Sequence, residues 1–265
     1  MEQLIKTVIL GIIQGLTEWL PISSTGHLKV AERLLRLPVP LVFDVVLHAG
    51  TLAVILAFFR SDVKEVLAAL IRLDFKTDYG RLIPLIVVGV IPTALIGLLL
   101  DVFFESALQS LSTITLAFII CGFVLYGTKF GREKTDKIGF KEALLVGVAQ
   151  GLAVVPGLSR SGLTIATALL LGIRRKQAFK FSFLLSIPAV AGALAWTVHS
   201  EFGALAASNI GLIEVVAGAA AALVVGYMAL KLLWKVLAKG KFHLFAFYCW
   251  VLSGFLALAI FYGVF

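Results

Sequence analysis

The stretch Gly11-Ile-Ile-Gln-Gly-Leu-Thr-Glu-Trp-Leu-Pro-Ile-Ser-Ser-Thr-Gly-His27 lies in an apolar run and breaks it midway, at Pro21 and the Ser23-Ser24-Thr25-Gly26 cluster. A second stretch, Gly147-Val-Ala-Gln-Gly-Leu-Ala-Val-Val-Pro-Gly-Leu-Ser-Arg-Ser-Gly-Leu-Thr164, repeats the pattern. At an offset of 136, Gly11, Gln14, Gly15, Leu16, Ser23 and Gly26 meet Gly147, Gln150, Gly151, Leu152, Ser159 and Gly162, with Thr25 against Ser161 as a near match. Each break leaves apolar halves of about a dozen to sixteen residues, whereas a helix needs about 20 to cross ~30 Å of hydrocarbon. Halves that short predict two re-entrant helical hairpins, over 7–37 and 143–173.

Composition places these hairpins in a membrane. Of 265 residues, 60% are apolar and 14% charged, and the mean hydropathy is +1.05. Soluble chains run at roughly 45–50% apolar and about 25% charged, so a water-soluble globule is excluded. Windows of about 20 apolar residues mark six spans, at 42–59, 81–100, 111–128, 181–198, 210–230 and 243–264. Residues 61–80 are amphipathic and predict an interfacial helix. The first residues lack a small-residue cleavage site and carry Gln14, Thr17 and Glu18, so a retained N-terminus is expected. Cys121 and Cys249 lie in apolar runs and suggest neither a disulfide framework nor a metal site.

Beyond the hairpins the likeness continues more weakly, in Phe43-x-Val-x-Leu against Phe181-x-Phe-x-Leu and in Gly89 and Gly97 against Gly218 and Gly226. The expected fold is an all-α integral membrane protein of six transmembrane helices plus two re-entrant hairpins. It forms one membrane domain over 1–265, with repeat one at about 1–130 and repeat two at about 140–265. Three spans per repeat turn the second copy over, and inverted repeats with broken helices build a site near the midplane. Eighteen of the 23 Lys and Arg fall in 60–81, 129–141, 174–180 and 231–241, while 101–110 and 199–209 hold none. Short basic loops are cytoplasmic, so the net charge of +8 marks sidedness and not nucleic acid. Lys6, Lys29, Arg33 and Arg36 fall on the outer side and weigh mildly against that orientation.

Chemistry gathers at the breaks. Gln14 and Glu18 are four apart and share a helix face, followed by Ser23, Ser24, Thr25 and His27. A carboxylate in hydrocarbon needs a partner, and the second break offers Arg160 between Ser159 and Ser161, with Thr164 one turn on. Each break opens a second half-helix whose backbone N–H groups and positive dipole end face the tip. Two such ends, a guanidinium and several hydroxyls suit phosphate or diphosphate. Glu18 beside a phosphate calls for a hard cation such as Mg2+ or Ca2+, or for a role as base. Taken singly, Ser161 and Thr164 are more ordinarily helix glue and Gly89, Gly97, Gly218 and Gly226 close helix packing, while a purely structural ion pair is the lesser alternative for Glu18 with Arg160. Asp44 and His48 share a helix face and are candidates for an entrance.

The motifs Gly15-Leu-Thr-Glu18-Trp-Leu-Pro-Ile-Ser23-Ser-Thr-Gly-His27 and Pro156-Gly-Leu-Ser-Arg160-Ser-Gly-Leu-Thr164 resemble those of the undecaprenyl-diphosphate phosphatases of bacterial membranes, whose members confer bacitracin resistance. The resemblance covers essentially the whole chain. It implies hydrolysis of a C55 polyprenyl diphosphate to the monophosphate at the outer face of the bacterial inner membrane, recycling the carrier lipid of cell-wall synthesis. It further implies Glu18, Ser24, His27 and Arg160 as catalytic positions. Ser23, Thr25, Ser159, Ser161, Thr164, Gly26 and Gly162 would line the phosphate site, and Glu18 with Gln14 would face a divalent metal. The family's acidic motif carries Glu or Gln at its first position; Gln14 here leaves the acidic work to Glu18. Ser24, His27 and a metal-bound water are each plausible nucleophiles, and His27 as nucleophile or acid/base is favoured. Its partners on this reading are the polyprenyl diphosphate lipid and the bilayer, with no nucleic acid and with a homodimer left open. A lipid transporter or flippase using the same anion site is the alternative, and a purely structural role leaves the membrane-embedded ionisable residues unexplained.

Overall fold

The apolar periodicity resolves entirely into helices. A computed structural model describes residues 2–35, 41–200 and 211–263, and among them there is no strand, only one isolated bridge between Thr135 and Ile173. The helices are α1 (Glu2–Trp19), α2 (Ser24–Leu35), α3 (Leu41–Phe58), α4 (Arg60–Ile71), α5 (Leu82–Leu108), α6 (Leu111–Gly127), α7 (Phe140–Leu152), α8 (Arg160–Leu170), α9 (Arg175–Ser200), α10 (Leu212–Ala238) and α11 (Phe245–Phe261). Five segments are long and apolar enough to cross a membrane: Leu82–Phe104, Leu111–Phe130, Arg175–Ser200, Ile213–Ala238 and Phe242–Phe261. The sixth expected span falls on α3, where the described apolar stretch, Val45–Phe58, is shorter. Large apolar side chains on these helices face outward, among them Leu95, Phe123, Val251 and Phe255, as a lipid-facing surface requires.

Both expected breaks are present. α1 and α2 pack against each other across a link of residues 20–23, and α7 and α8 across 153–159. The amphipathic helix expected over 61–80 is shorter, ending at Ile71. There Leu73 takes a positive φ of 52°, and Asp74, Thr77 and Gly80 bond into consecutive turns that cannot continue a helix. Other helices run past their apolar windows: α9 begins at Arg175, so its basic first turns extend beyond the expected 181–198.

Small residues set the closest helix crossings. α1 lies along α10, with Gly11 on Gly218 and Ala221, and Gly15 on Ala222 and Gly226. α7 lies along α5, with Gly147 on the Gly89 backbone and Gly151 on Pro92 and Ile96. A Cβ at Gly11, Gly15, Gly147 or Gly151 would overlap backbone or branched side chain of the facing helix, so glycine is what lets these pairs approach. Gly97, expected at a similar crossing, meets only a Val154 methyl at 3.3 Å. Trp19 is buried at the end of α1 beside an aromatic cluster of Phe59, Phe179 and Phe183, its ring centroid 5.6 Å from that of Phe183.

The basic segments gather at one end of the molecule. Arg174 pairs with Asp136 at 2.6 Å, Lys180 with Asp62 at 2.6 Å, and Arg175 with Glu133 at 3.0 Å. Arg175 also reaches the Ala238 carbonyl at 3.5 Å. Arg33 bonds the Gln109 carbonyl at 3.4 Å, within the segment without Lys or Arg. Arg36 and the side chain of Asp44 lie outside the described residues.

Candidate active site

Local sequence builds the two tips differently. At the first, Pro21 ends α1's continuation and Ser23 adopts a positive φ of 66°, a left-handed conformation uncommon for a residue with a Cβ. This turn aims the Ser23 hydroxyl at both the Gly26 N–H, 3.4 Å away, and the Gly157 N–H, 3.0 Å away in the other tip. At the second tip the positive φ belongs to Gly157, at 100°, and Ser159 caps α8 in extended conformation by accepting from the Gly162 N–H at 3.2 Å. Gly26 faces Phe118 and Gly157 so closely that a Cβ would stand 2.8 Å from the Phe118 ring.

The tips meet. Arg160, the first residue of α8, donates through Nη2 to Glu18 Oε1 at 2.6 Å, the two side chains being 16% and 9% exposed. Glu18 Oε2 accepts from Ser24 Oγ at 2.6 Å and from Gln14 Nε2 at 3.1 Å. Gln14 and Glu18 do share one face of α1, as their spacing predicts. The Arg160 guanidinium carbon stands 5.6 Å from the Trp19 ring centroid, and its other terminal nitrogen, Nη1, is buried without a hydrogen-bond partner. A buried guanidinium nitrogen is strongly disfavoured unless an acceptor meets it, so the protein uses one arm of the fork and leaves the other without the acceptor its burial calls for.

The remaining expected residues divide between the cluster and its supports. Ser161 turns away from the guanidinium and donates to the Trp19 carbonyl at 3.0 Å, tying the tips together. Thr164 donates to the Arg160 carbonyl at 2.8 Å and lies 2.5 Å from Ser182 Oγ, inside the packing of α8 on α9. Ser159 stands 3.3 Å from Ser161 Oγ. Thr25 is exposed at the start of α2. His27 is not bonded to Glu18 or Arg160: its Nδ1 lies 2.7 Å from the Ser23 carbonyl and its Nε2 2.7 Å from the Tyr248 hydroxyl. A groove of about 720 Å3 opens beside it between α1, α2, α10 and α11, lined by Ile13, Leu16, Ile22, Val30, Phe245 and Tyr248.

Whether these residues suit a divalent cation is a question of donors. Among the described residues no group of three or more His, Cys, Asp or Glu side chains could hold a metal ion. Glu18 is the one carboxylate of the cluster, and Gln14 Oε1 is buried without a hydrogen-bond partner. Gln14 presents its amide nitrogen to Glu18, so its oxygen serves a cation beside that carboxylate only when the amide turns over. This set is too thin for an all-protein Ca2+ cage, but it fits an ion that shares its coordination with substrate phosphates, as Mg2+ does.

Tyr248 and Phe118 are the neighbours of this site that the motifs did not mark. Tyr248 comes from the last helix and Phe118 from α6, far from either break in sequence, and each sits in an aromatic-rich apolar run that reads as lipid-facing or core.

The chain is similar to known proteins over nearly its whole length. Residues 7–255 match the family model described as bacitracin resistance protein BacA. A protein of Carboxydothermus hydrogenoformans named undecaprenyl-diphosphatase is 43% identical over 253 residues, covering 94% of each chain. Proteins of the same name from Desulforapulum autotrophicum and Halothermothrix orenii are 41% and 38% identical, covering 95% and 99% of this chain and 96% and 100% of their own.

Proposed function

The chain belongs to the family of the bacitracin resistance protein BacA, and from that membership we propose that it dephosphorylates undecaprenyl diphosphate as a multi-pass membrane phosphatase. The observation that carries the reading to particular residues is the meeting of Arg160 with Glu18 and Ser24 across the two tips, with Arg160 Nη1 left for an acceptor. An ion pair alone would not need a second unsatisfied donor beside two capped helix N-termini.

In the mechanism, Arg160 and the positive dipole ends of α2 and α8 hold the terminal phosphoryl group and stabilise the charge that spreads over its oxygens. Ser24 attacks phosphorus as Glu18 Oε2 takes the hydroxyl proton it already accepts at 2.6 Å. The bond from that phosphorus to the bridging oxygen breaks, and undecaprenyl phosphate leaves. Water, deprotonated by the Nε2 lone pair of His27, then cleaves the phosphoseryl ester while Glu18 returns its proton to Ser24 Oγ, and inorganic phosphate is released. His27 serves as that base from the side the lipid has left, because its Nε2 faces the apolar groove and not Glu18. The isoprenoid chain lies in that groove. Glu18 and Gln14 would hold a Mg2+ or Ca2+ shared with the phosphates, and the ion would supply charge neutralisation when bound.

The topology that accompanies this reading is six spans with two re-entrant hairpins in inverted repeats. The reciprocal packing of α1 on α10 and α7 on α5, through matched glycines, supports it. Collection of the basic segments at one end supports a cytoplasmic location for them. The hairpins then meet near the midplane of the inner membrane, with the site open to the outer side and hydrolysis there conferring bacitracin resistance. Phosphate release by the purified, detergent-solubilised protein from undecaprenyl diphosphate, with and without Mg2+ or Ca2+, tests the activity. Release that depends on the metal supports the whole reading, and no release from folded protein would leave the lipid carrier as the better account.

A further inference from the structure

The imidazole of His27 is held at both nitrogens, and the two partners decide which nitrogen carries the proton. The Ser23 carbonyl can only accept, so Nδ1, at 2.7 Å, must donate to it. The same carbonyl takes the His27 backbone N–H at 3.2 Å, so both its lone pairs are used. In the neutral ring Nε2 is then a lone pair, and the Tyr248 hydroxyl 2.7 Å away is its donor. The Tyr248 ring also lies against the imidazole, with centroids 5.6 Å apart and planes inclined by 19°, while Phe118 meets the imidazole edge-on at 5.5 Å. The ring is therefore confined in orientation as well as in protonation.

We propose that Tyr248 is a positioning residue that holds His27 as its Nδ1-protonated tautomer with Nε2 as the basic nitrogen, capped at the mouth of the apolar groove. It acts through His27 and rests on the reading of His27 as the base in phosphate release. Until the lipid has left, the phenol occupies Nε2, and when water enters in its place the phenol yields that nitrogen to accept the water's proton. A tyrosine here also spares the lone pair from water while the groove is open to lipid.

The test is made on full-length protein labelled with 15N-histidine, whose imidazole nitrogen shifts separate the two tautomers, the His27 signals being identified by their loss in His27→Gln. The expected spectrum has Nδ1 protonated and Nε2 unprotonated in the wild type. Tyr248→Phe, which keeps the stacked ring, should show a mixture of tautomers and a kcat about fivefold lower, the loss of one net hydrogen bond, with KM little changed. A wild-type His27 protonated at Nε2 would overturn the assignment without recourse to any variant. So would unchanged nitrogen shifts and kcat in Tyr248→Phe. A wild type that releases no phosphate would instead remove the phosphatase reading, and the nitrogen spectra would still decide whether Tyr248 sets the tautomer.

Discussion

Where the first hairpin has Glu18, Ser24 and His27, the second has Val154, Arg160 and Leu163; where the first has Gly11, Gln14, Gly15, Ser23 and Gly26, the second has the same residues. The matched set is the scaffold. Its glycines admit a facing helix, and its serines, Ser23 and Ser159, receive the N–H groups that open α2 and α8. The unmatched set is the chemistry, and it has to be unmatched. A site with Glu18 on both tips would bring two carboxylates together, and one with Arg160 on both would bring two guanidinium groups, each a like-charge contact in a low dielectric. One of each gives a bonded pair that still leaves a guanidinium nitrogen for phosphate. The glutamines mark the boundary between the sets: Gln14 donates to Glu18, and Gln150 donates to Thr93 in a helix crossing at 3.3 Å.

The comparison breaks most severely at Arg160. Arg160→Ala should lower turnover on the order of 100- to 1,000-fold, as loss of a transition-state donor does. Arg160→Lys should recover little, because an ammonium cannot reach carboxylate and phosphate at once. Phosphate release measures both, and an Arg160→Ala rate equal to wild type would reduce the pair to a structural tie. Glu18→Gln should cost about 100-fold and flatten the metal titration of the rate; a titration that stays unchanged would remove Glu18 from cation binding.

Smaller effects sharpen the division between scaffold and chemistry. Gln14→Ala should lower turnover about fivefold through the loss of one hydrogen bond to the carboxylate, whereas Gln150→Ala should leave turnover alone and show only in thermal unfolding. Equal losses of activity in the two variants would mean that both glutamines serve the site. In Gly147→Ala, too, the effect should fall on stability. Its Cβ would overlap the Gly89 backbone, costing about 1–3 kcal/mol of stability, while Gly97→Ala should be tolerated. Unfolding followed in detergent separates them, and equal stability would deny the glycine crossing its role.

Much of this was legible because it is written in local pattern. Length and apolarity show where a helix is too short to cross, and duplication shows which breaks correspond. A lone Glu18 and a lone Arg160 at corresponding breaks are expected to meet, since neither is stable in hydrocarbon alone. The glycines at 89, 218 and 226 read correctly as crossings because small residues let membrane helices approach closely. What escaped was contact between helices distant in sequence. Tyr248 stands between Phe247 and Trp250 in an aromatic-rich helix, where nothing in its spacing distinguishes a hydrogen-bond donor to His27 from a ring facing lipid. The extent of α4 escaped too, because Asp74 to Gly80 continue the amphipathic pattern in composition while their side chains close turns.

The central claim is that residues of two hairpins form one reacting centre, and a double-mutant cycle on phosphate release tests it most directly. Glu18→Gln, Arg160→Lys and the double variant are compared with wild type on undecaprenyl diphosphate under one metal concentration. Because Arg160 Nη2 and Glu18 Oε1 are 2.6 Å apart, the account predicts strong coupling, with the double variant no slower than the slower single one. Losses that multiply would show two independent contributions and contradict the shared site.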